Sequence, residues 1–162
     1  MIESDAQIAA WLAQEDARVA GYIRDHGWSI EYIIGDPPRQ QTSIAYTVGL
    51  FGMGHPELVL LGASTGTACG VLNEVGRRVK AGKNLTAGAL LTFDEWPHRI
   101  TVEAVPNPGA ILFGANRHYQ RPAAASVPAL QLTHDDAHGR FPWDDDYCIP
   151  AWIQPRPGTY TA

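Results

Sequence analysis

The chain has 162 residues, of which 45% are hydrophobic and 18% charged. That balance excludes a disordered or fibrous chain and leaves enough apolar surface for one domain to fold without a disulfide or metal staple. Acidic residues outnumber basic ones 17 to 12, for a net charge of -5, which excludes a phosphate-clamping nucleic-acid binder.

Residues 4–26 read as an amphipathic helix. Ser4 and Gln7 form a capping-box pattern, Ile8, Trp11, Leu12, Val19, Tyr22 and Ile23 share one face, and Gly27 stops it. Residues 28–34 alternate as a strand until Asp36-Pro37-Pro38 breaks the chain. A second strand over 43–51, a turn over 52–56 and an apolar third strand over 57–62 follow closely enough to favour an antiparallel hairpin. A second helix over 64–81 is capped by Ser64 or Thr65, carries the stripe Ala68, Val71, Leu72, Val75 and Val79, and stops at Gly82. The basic cluster Arg77, Arg78, Lys80 and Lys83 falls at its end, where the helix dipole favours cations. Residues 86–93 and 99–105 read as a strand pair joined by a turn over 94–98, in which Asp94, Glu95 and His98 are expected to be solvated. Pro108 opens a short helix reaching Tyr119, and residues 129–132 form the last core strand.

This order predicts an α+β fold in a single domain over 1–162. Its sheet is mostly antiparallel, with room to curl into a barrel, flanked by two longer helices and one short one. The parts are an N-terminal helix (1–27), a core (28–155) and a tail (156–162). Cys69 and Cys148 form no pair or zinc spacing, and Cys69 is expected to be a small core residue. The first residues lack a basic region followed by an apolar run, and no apolar stretch is long enough for a membrane helix, so the expected location is cytoplasmic, without membrane contact.

Several segments together carry a family likeness. They are Ala45-Tyr46-Thr47-Val48-Gly49-Leu50, Gly54-His55-Pro56-Glu57-Leu58, Leu72-Asn73, Ala129-Leu130-Gln131-Leu132, Asp136, Gly139-Arg140-Phe141-Pro142-Trp143-Asp144 and Gln154-Pro155. With them the chain, from Trp28 to Pro155, resembles the bacterial domain-of-unknown-function family DUF4262, a likeness that implies no established reaction. Where the family tends to read Gln-Leu-Val-Trp-Pro-Asp, this chain has Gln131-Leu132-Thr133-His134-Asp135-Asp136, so a role for His134 or Asp135 would be its own. A looser topological likeness is to flavin-binding split barrels, which would bring FMN and a homodimer.

The segment 134–146 concentrates imidazole, carboxylate, guanidinium and indole groups. Arg140 suits an anionic group and Trp143 a planar ring. Equally, Phe141 and Trp143 could plug the core while Arg140 pairs with Asp136 or Asp144. His134, Asp136 and His138 alternate as metal ligands would, but a fourth ligand would have to come from elsewhere. His55, at a Gly-rich turn, suits a general base oriented by Glu57 or Asp136, or else caps a carbonyl. Thr47 lies on a buried strand, and Asn73, beside the helical stripe, either pins a strand or reaches a pocket. No GxSxG elbow or P-loop lysine is present.

The leading expectation is a small-molecule enzyme whose acid/base pair is His55 and Asp136. Thr47, Glu57, Asn73, Arg140, Trp143 and Asp144 would hold the substrate between the sheet and the 139–144 loop, with no metal or cofactor required. The alternatives are a flavin-binding split-barrel protein and a non-catalytic interaction module using Asp144, Asp145 and Asp146.

Overall fold

The computed structural model describes residues 4–162, so the sequence reading at 1–3 lies outside the described residues. Helix α1, Asp5–His26, begins where the Ser4 hydroxyl accepts the Gln7 N–H at 3.2 Å and the Gln7 side chain accepts the Ser4 N–H at 2.8 Å. It ends at Gly27 in the left-handed conformation that a helix C-terminus favours. Strands β1 (Ser29–Ile33), β2 (Ile44–Val48) and β3 (Glu57–Leu61) follow as an antiparallel meander. Helix α2, Thr65–Lys80, is capped by Ser64. Then come β4 (Leu90–Leu91), β5 (Ile100–Ala104), the short helix α3 (Phe113–His118) and β6 (Ala129–His134).

The six strands form one sheet in the order β1-β2-β3-β6-β5-β4. β6 inserts between β3 and β5, parallel to the first with Glu57 opposite Ala129, antiparallel to the second with Ile100 opposite His134. The α+β class and the mostly antiparallel sheet are therefore as the sequence predicts. The barrel is not formed: the sheet is open, with β1 and β4 as separate edges. One reason is the length of β4. Strand pairing expected over 86–93 shrinks to two residues because Gly88 adopts φ 93 inside a turn closed by the Ala89 N–H on the Thr86 carbonyl. An edge that short offers little to close against. The closed topology behind the split-barrel likeness is absent.

Alternate residues of the central strands feed two cores. Leu58, Leu60, Leu130 and Leu132 pack with Ala68, Val71, Leu72 and Val75 of α2 on one face. Val59, Leu61 and Ala129 pack with Ala115 and Val19 on the other, beneath α3 and α1. The α1 stripe is only partly used. Val19 is buried, whereas Ile8, Trp11 and Tyr22 are exposed, because α3 is one and a half turns long and covers only part of the helix. Cys69 is half-buried, and the core position beside it belongs to Ala68. Among the described residues, no helix is long and apolar enough to cross a membrane.

Candidate functional site

The parallel β3–β6 pair gives the sheet two distinct ends, and the candidate residues divide between them. Thr47, His55 and Glu57 lie where β3 begins. After β2 the chain turns sharply at Gly49, whose φ is 137 and where a Cβ would stand 2.6 Å from the Gly27 carbonyl. The turn aims three successive N–H groups inward, and the fully buried Glu57 carboxylate receives them: Gly49 and Leu50 at 2.9 Å and Phe51 at 3.3 Å, with the Thr47 hydroxyl at 2.9 Å. Burial pushes the Glu57 pKa up to about 7, against the pull of these donors. His55, also buried, accepts the Leu85 N–H on Nε2 at 3.0 Å and donates Nδ1–H to the Pro56 carbonyl at 2.8 Å. Its tautomer is thereby set and neither nitrogen is left for a substrate.

Asp136, Arg140, Trp143 and Asp144 lie beyond the other end. With a rise of about 3.3 Å per residue, His134 stands about 17 Å along β6 from the level of Glu57. Asp136 Oδ1 accepts the His138 and Arg140 N–H groups at 2.8 and 2.9 Å, and Oδ2 accepts the Cys148 N–H and thiol. Burial works to raise its pKa, but those donors outweigh it and hold the carboxyl well below the usual range. Arg140 donates to the Asp146 carbonyl, and Asp144 caps the Phe141 N–H. Trp143 is half exposed and stacks on Phe141, with the Arg156 guanidinium over its ring. These residues shape the loop. Asn73 stands apart from both ends on α2, where its Oδ1 accepts the Trp28 indole N–H at 3.0 Å. The structure therefore does not bring the expected acid/base pair, His55 and Asp136, together.

A different constellation forms at the C-terminal ends of β3 and β6. The β5–β6 register sets His98 and Arg99 beside Asp135. His98 donates Nδ1–H to Asp135 Oδ1 at 2.9 Å, and Arg99 holds Asp135 through its N–H and its Nε, both at 3.2 Å. Asp135 is buried, while the His98 side chain keeps 26% of its surface exposed. A carboxylate only accepts, so the proton sits on Nδ1 and the Nε2 lone pair is left free, without a partner among the described residues. Arg99 also donates to the Gly139 carbonyl and lies over Phe141, which ties the 139–144 loop to this pair. Trp96 packs on both His98 and His134, at 4.8 and 5.8 Å between ring centroids. Burial, helped by the neighbouring His98, lowers the His134 pKa although the Asp135 carbonyl opposes it. Trp96 also lines a cavity of about 470 Å³ between α2 and the 93–96 turn. Among the described residues, no three His, Cys, Asp or Glu side chains are grouped to hold a metal ion.

Sequence reasoning marked His134 and Asp135 as part of a rich segment but set His98 aside in a solvated turn. Asp94 and Glu95 are indeed exposed. His98 is drawn inward because it sits two residues before β5, level with the end of β6. The sequence predicts both strands, 99–105 and 129–132, but pairs 99–105 only with 86–93; it is the β5–β6 pairing that brings His98 to the acidic segment.

No curated protein and no solved structure matches the chain. Residues 22–148, from the last turn of α1 through all six strands to Cys148, match the family model described as a domain of unknown function, and the chain belongs to that family, DUF4262.

Proposed function

We propose that the protein binds a small molecule at the C-terminal ends of β3 and β6 and transfers a proton to or from it through His98. The observation that carries this reading is the His98–Asp135 pair: a buried carboxylate, itself fixed by Arg99, orients a partly exposed imidazole whose second nitrogen is free and whose ring packs on Trp96, a residue lining a cavity. Such an arrangement selects one tautomer and stabilises the imidazolium that forms when Nε2 takes a proton. Open sheets with parallel strands commonly hold ligands beyond the strands' carboxyl ends. Trp96 supplies an apolar wall next to the base. The acid/base role expected of His55 and Asp136 passes to His98, since the earlier pair has its nitrogens and oxygens committed to the chain's own backbone and to Cys148. The family likeness reads Trp-Pro where this chain has His134-Asp135, so the activity is proposed for this chain and not for its family.

The test uses 5-nitrobenzisoxazole, a flat probe that reports a positioned base. Removal of its C3 proton breaks the ring N–O bond and releases a coloured cyanophenolate. The wild type is expected to exceed free imidazole at equal concentration. His98→Gln and Asp135→Asn should lower the rate about 100-fold. Melting curves of the partly exposed His98 variant should match the wild type. A wild-type rate equal to that of free imidazole, or to that of folded His98→Gln, overturns the reading.

A further inference from the structure

Helix α2 carries Gly66, Gly70 and Gly76, and glycine in a helix lowers stability relative to alanine because its unfolded chain has more freedom to lose. Gly76 has a packing reason, since a Cβ there would lie 2.8 Å from the Trp28 indole. Gly66 and Gly70 have none among the described residues: beyond its chain neighbours and the helix's own backbone, a Cβ at either would meet no heavy atom within 4 Å. Spaced by one turn, the two share a helix face, and both line the cavity that Trp96 and Phe93 close from the other side.

We propose that this glycine face and Trp96 are the two walls of a slot for a flat, uncharged or cationic heteroaromatic ring, the substrate class of the His98 site. Only the catalytic consequence rests on the acid/base reading above; the slot stands on its own geometry. Without Cβ atoms the helix presents bare backbone that a ring can approach closely. The opposite wall is held open. Phe93 meets Trp96 edge to face at 5.5 Å, and its own face is covered by Arg78, which Glu74 and the Thr92 carbonyl hold in place. These contacts hold Phe93 beside the gap and not across it. At about 470 Å³ the cavity falls within the range of small-molecule sites.

The charges around the slot select the ligand's sign. Arg77 and Arg78 share the single carboxylate of Glu74, which leaves one positive charge over. Asp94 and Glu95 also line the cavity, are exposed, and make no ion pair among the described residues. Against that one surplus cation, the two unpaired carboxylates leave the lining negative by one charge, which disfavours an anion and favours a cation, and the Trp96 indole adds to the preference.

Quinoline and naphthalene-1-sulfonate, similar in shape and opposite in charge preference, are the probes, titrated by calorimetry. Quinoline is expected to bind the wild type and the sulfonate to bind more weakly. Gly70→Ala should raise the Tm by about 2–4 °C through helix propensity while weakening quinoline binding roughly tenfold. Gly70→Leu should abolish quinoline binding. Quinoline binding that vanishes in Gly70→Leu, beside elimination activity indifferent to His98, keeps the slot and removes the acid/base reading. Absence of quinoline binding to the wild type, equal binding to Gly70→Leu, or tighter binding of the sulfonate overturns the slot, whatever His98 does.

Discussion

The two ends of the β3–β6 pair are both rich in polar side chains, yet they differ in what those side chains leave over. Where the strands begin, Glu57 takes four donors, Thr47 both donates to it and accepts the Leu58 N–H, and His55 spends both nitrogens on backbone. Where the strands end, Asp135 is as deeply buried and takes three donors, but the imidazole it orients keeps one nitrogen free and packs on Trp96, which lines an open cavity. The first end is a closed network, which fixes a turn. The second is a network with one valence outstanding, which is what chemistry on a ligand requires. Both ends contain an acid and a histidine, so residue type alone does not separate them. The difference lies in whether the last partner comes from the chain itself.

The sharpest way to break this comparison is to remove Glu57. Glu57→Ala strands the Gly49 and Leu50 N–H groups and the Thr47 hydroxyl in the buried interior and the Phe51 N–H at its half-buried margin, and should lower unfolding stability by about 3–5 kcal/mol in urea titrations. A Glu57→Ala protein as stable as the wild type would mean that the closed end is not structural and that its carboxylate must be reconsidered as part of a site.

Acidity separates the ends next. The folded pKa of Glu57 is raised from 4.5 to about 7, mainly by burial, so its favourable contribution is complete below 4.5 and is lost as pH rises through about 7. The folded pKa of Asp136, in the loop beyond the other end, is depressed below 3.8, so its contribution is present above that value and is lost as pH falls through the folded pKa. The wild type should therefore lose stability between pH 5 and pH 8 by a margin that Glu57→Gln does not show. Thermal unfolding of both proteins at the two pH values measures it. Parallel pH profiles would place the titration on another group.

How much of this was legible in the sequence depends on range. The limits of α1 rest on contacts within one turn, Ser4 with Gln7 and Gly27 with Ile23, and could be read directly. Ser64 announces α2 in the same way. The parallel pairing of Glu57 with Ala129 joins segments separated by two helices and two strands, and no local pattern encodes it. Without that pairing, His55 and Asp136 looked like neighbours across a pocket, because both follow or precede core strands. With it, they fall at opposite ends. The exposed Trp11 and Ile8 teach the same lesson, since an apolar stripe says that a face can be covered and not that something covers it. From sequence, Glu57 reads as a substrate-binding residue or as the carboxylate orienting His55, two residues before it at the turn. Its actual partners are the backbone of a turn only six to eight residues earlier, which a search for side-chain partners passes over.

Asn73 supplies the smallest and most discriminating effect, because it tests whether a single bond between two elements behaves as a closed or an open network. Its Oδ1 holds the Trp28 indole N–H at 3.0 Å, and Trp28 is otherwise locked by the gap at Gly76, where the ring lies 2.8 Å from the position of a Cβ. The indole itself is therefore not released when Asn73 is shortened. Asn73 and Trp28 both line a cavity of about 640 Å³ between α1 and α2, so water can reach the N–H once the amide is gone. The desolvation penalty that makes Glu57 costly is largely relieved, and Asn73→Ala should lower stability by only about 1 kcal/mol, or about 2–4 °C in Tm. A loss as large as that of Glu57→Ala would show that the indole N–H stays dry and that this cavity closes when the amide is removed.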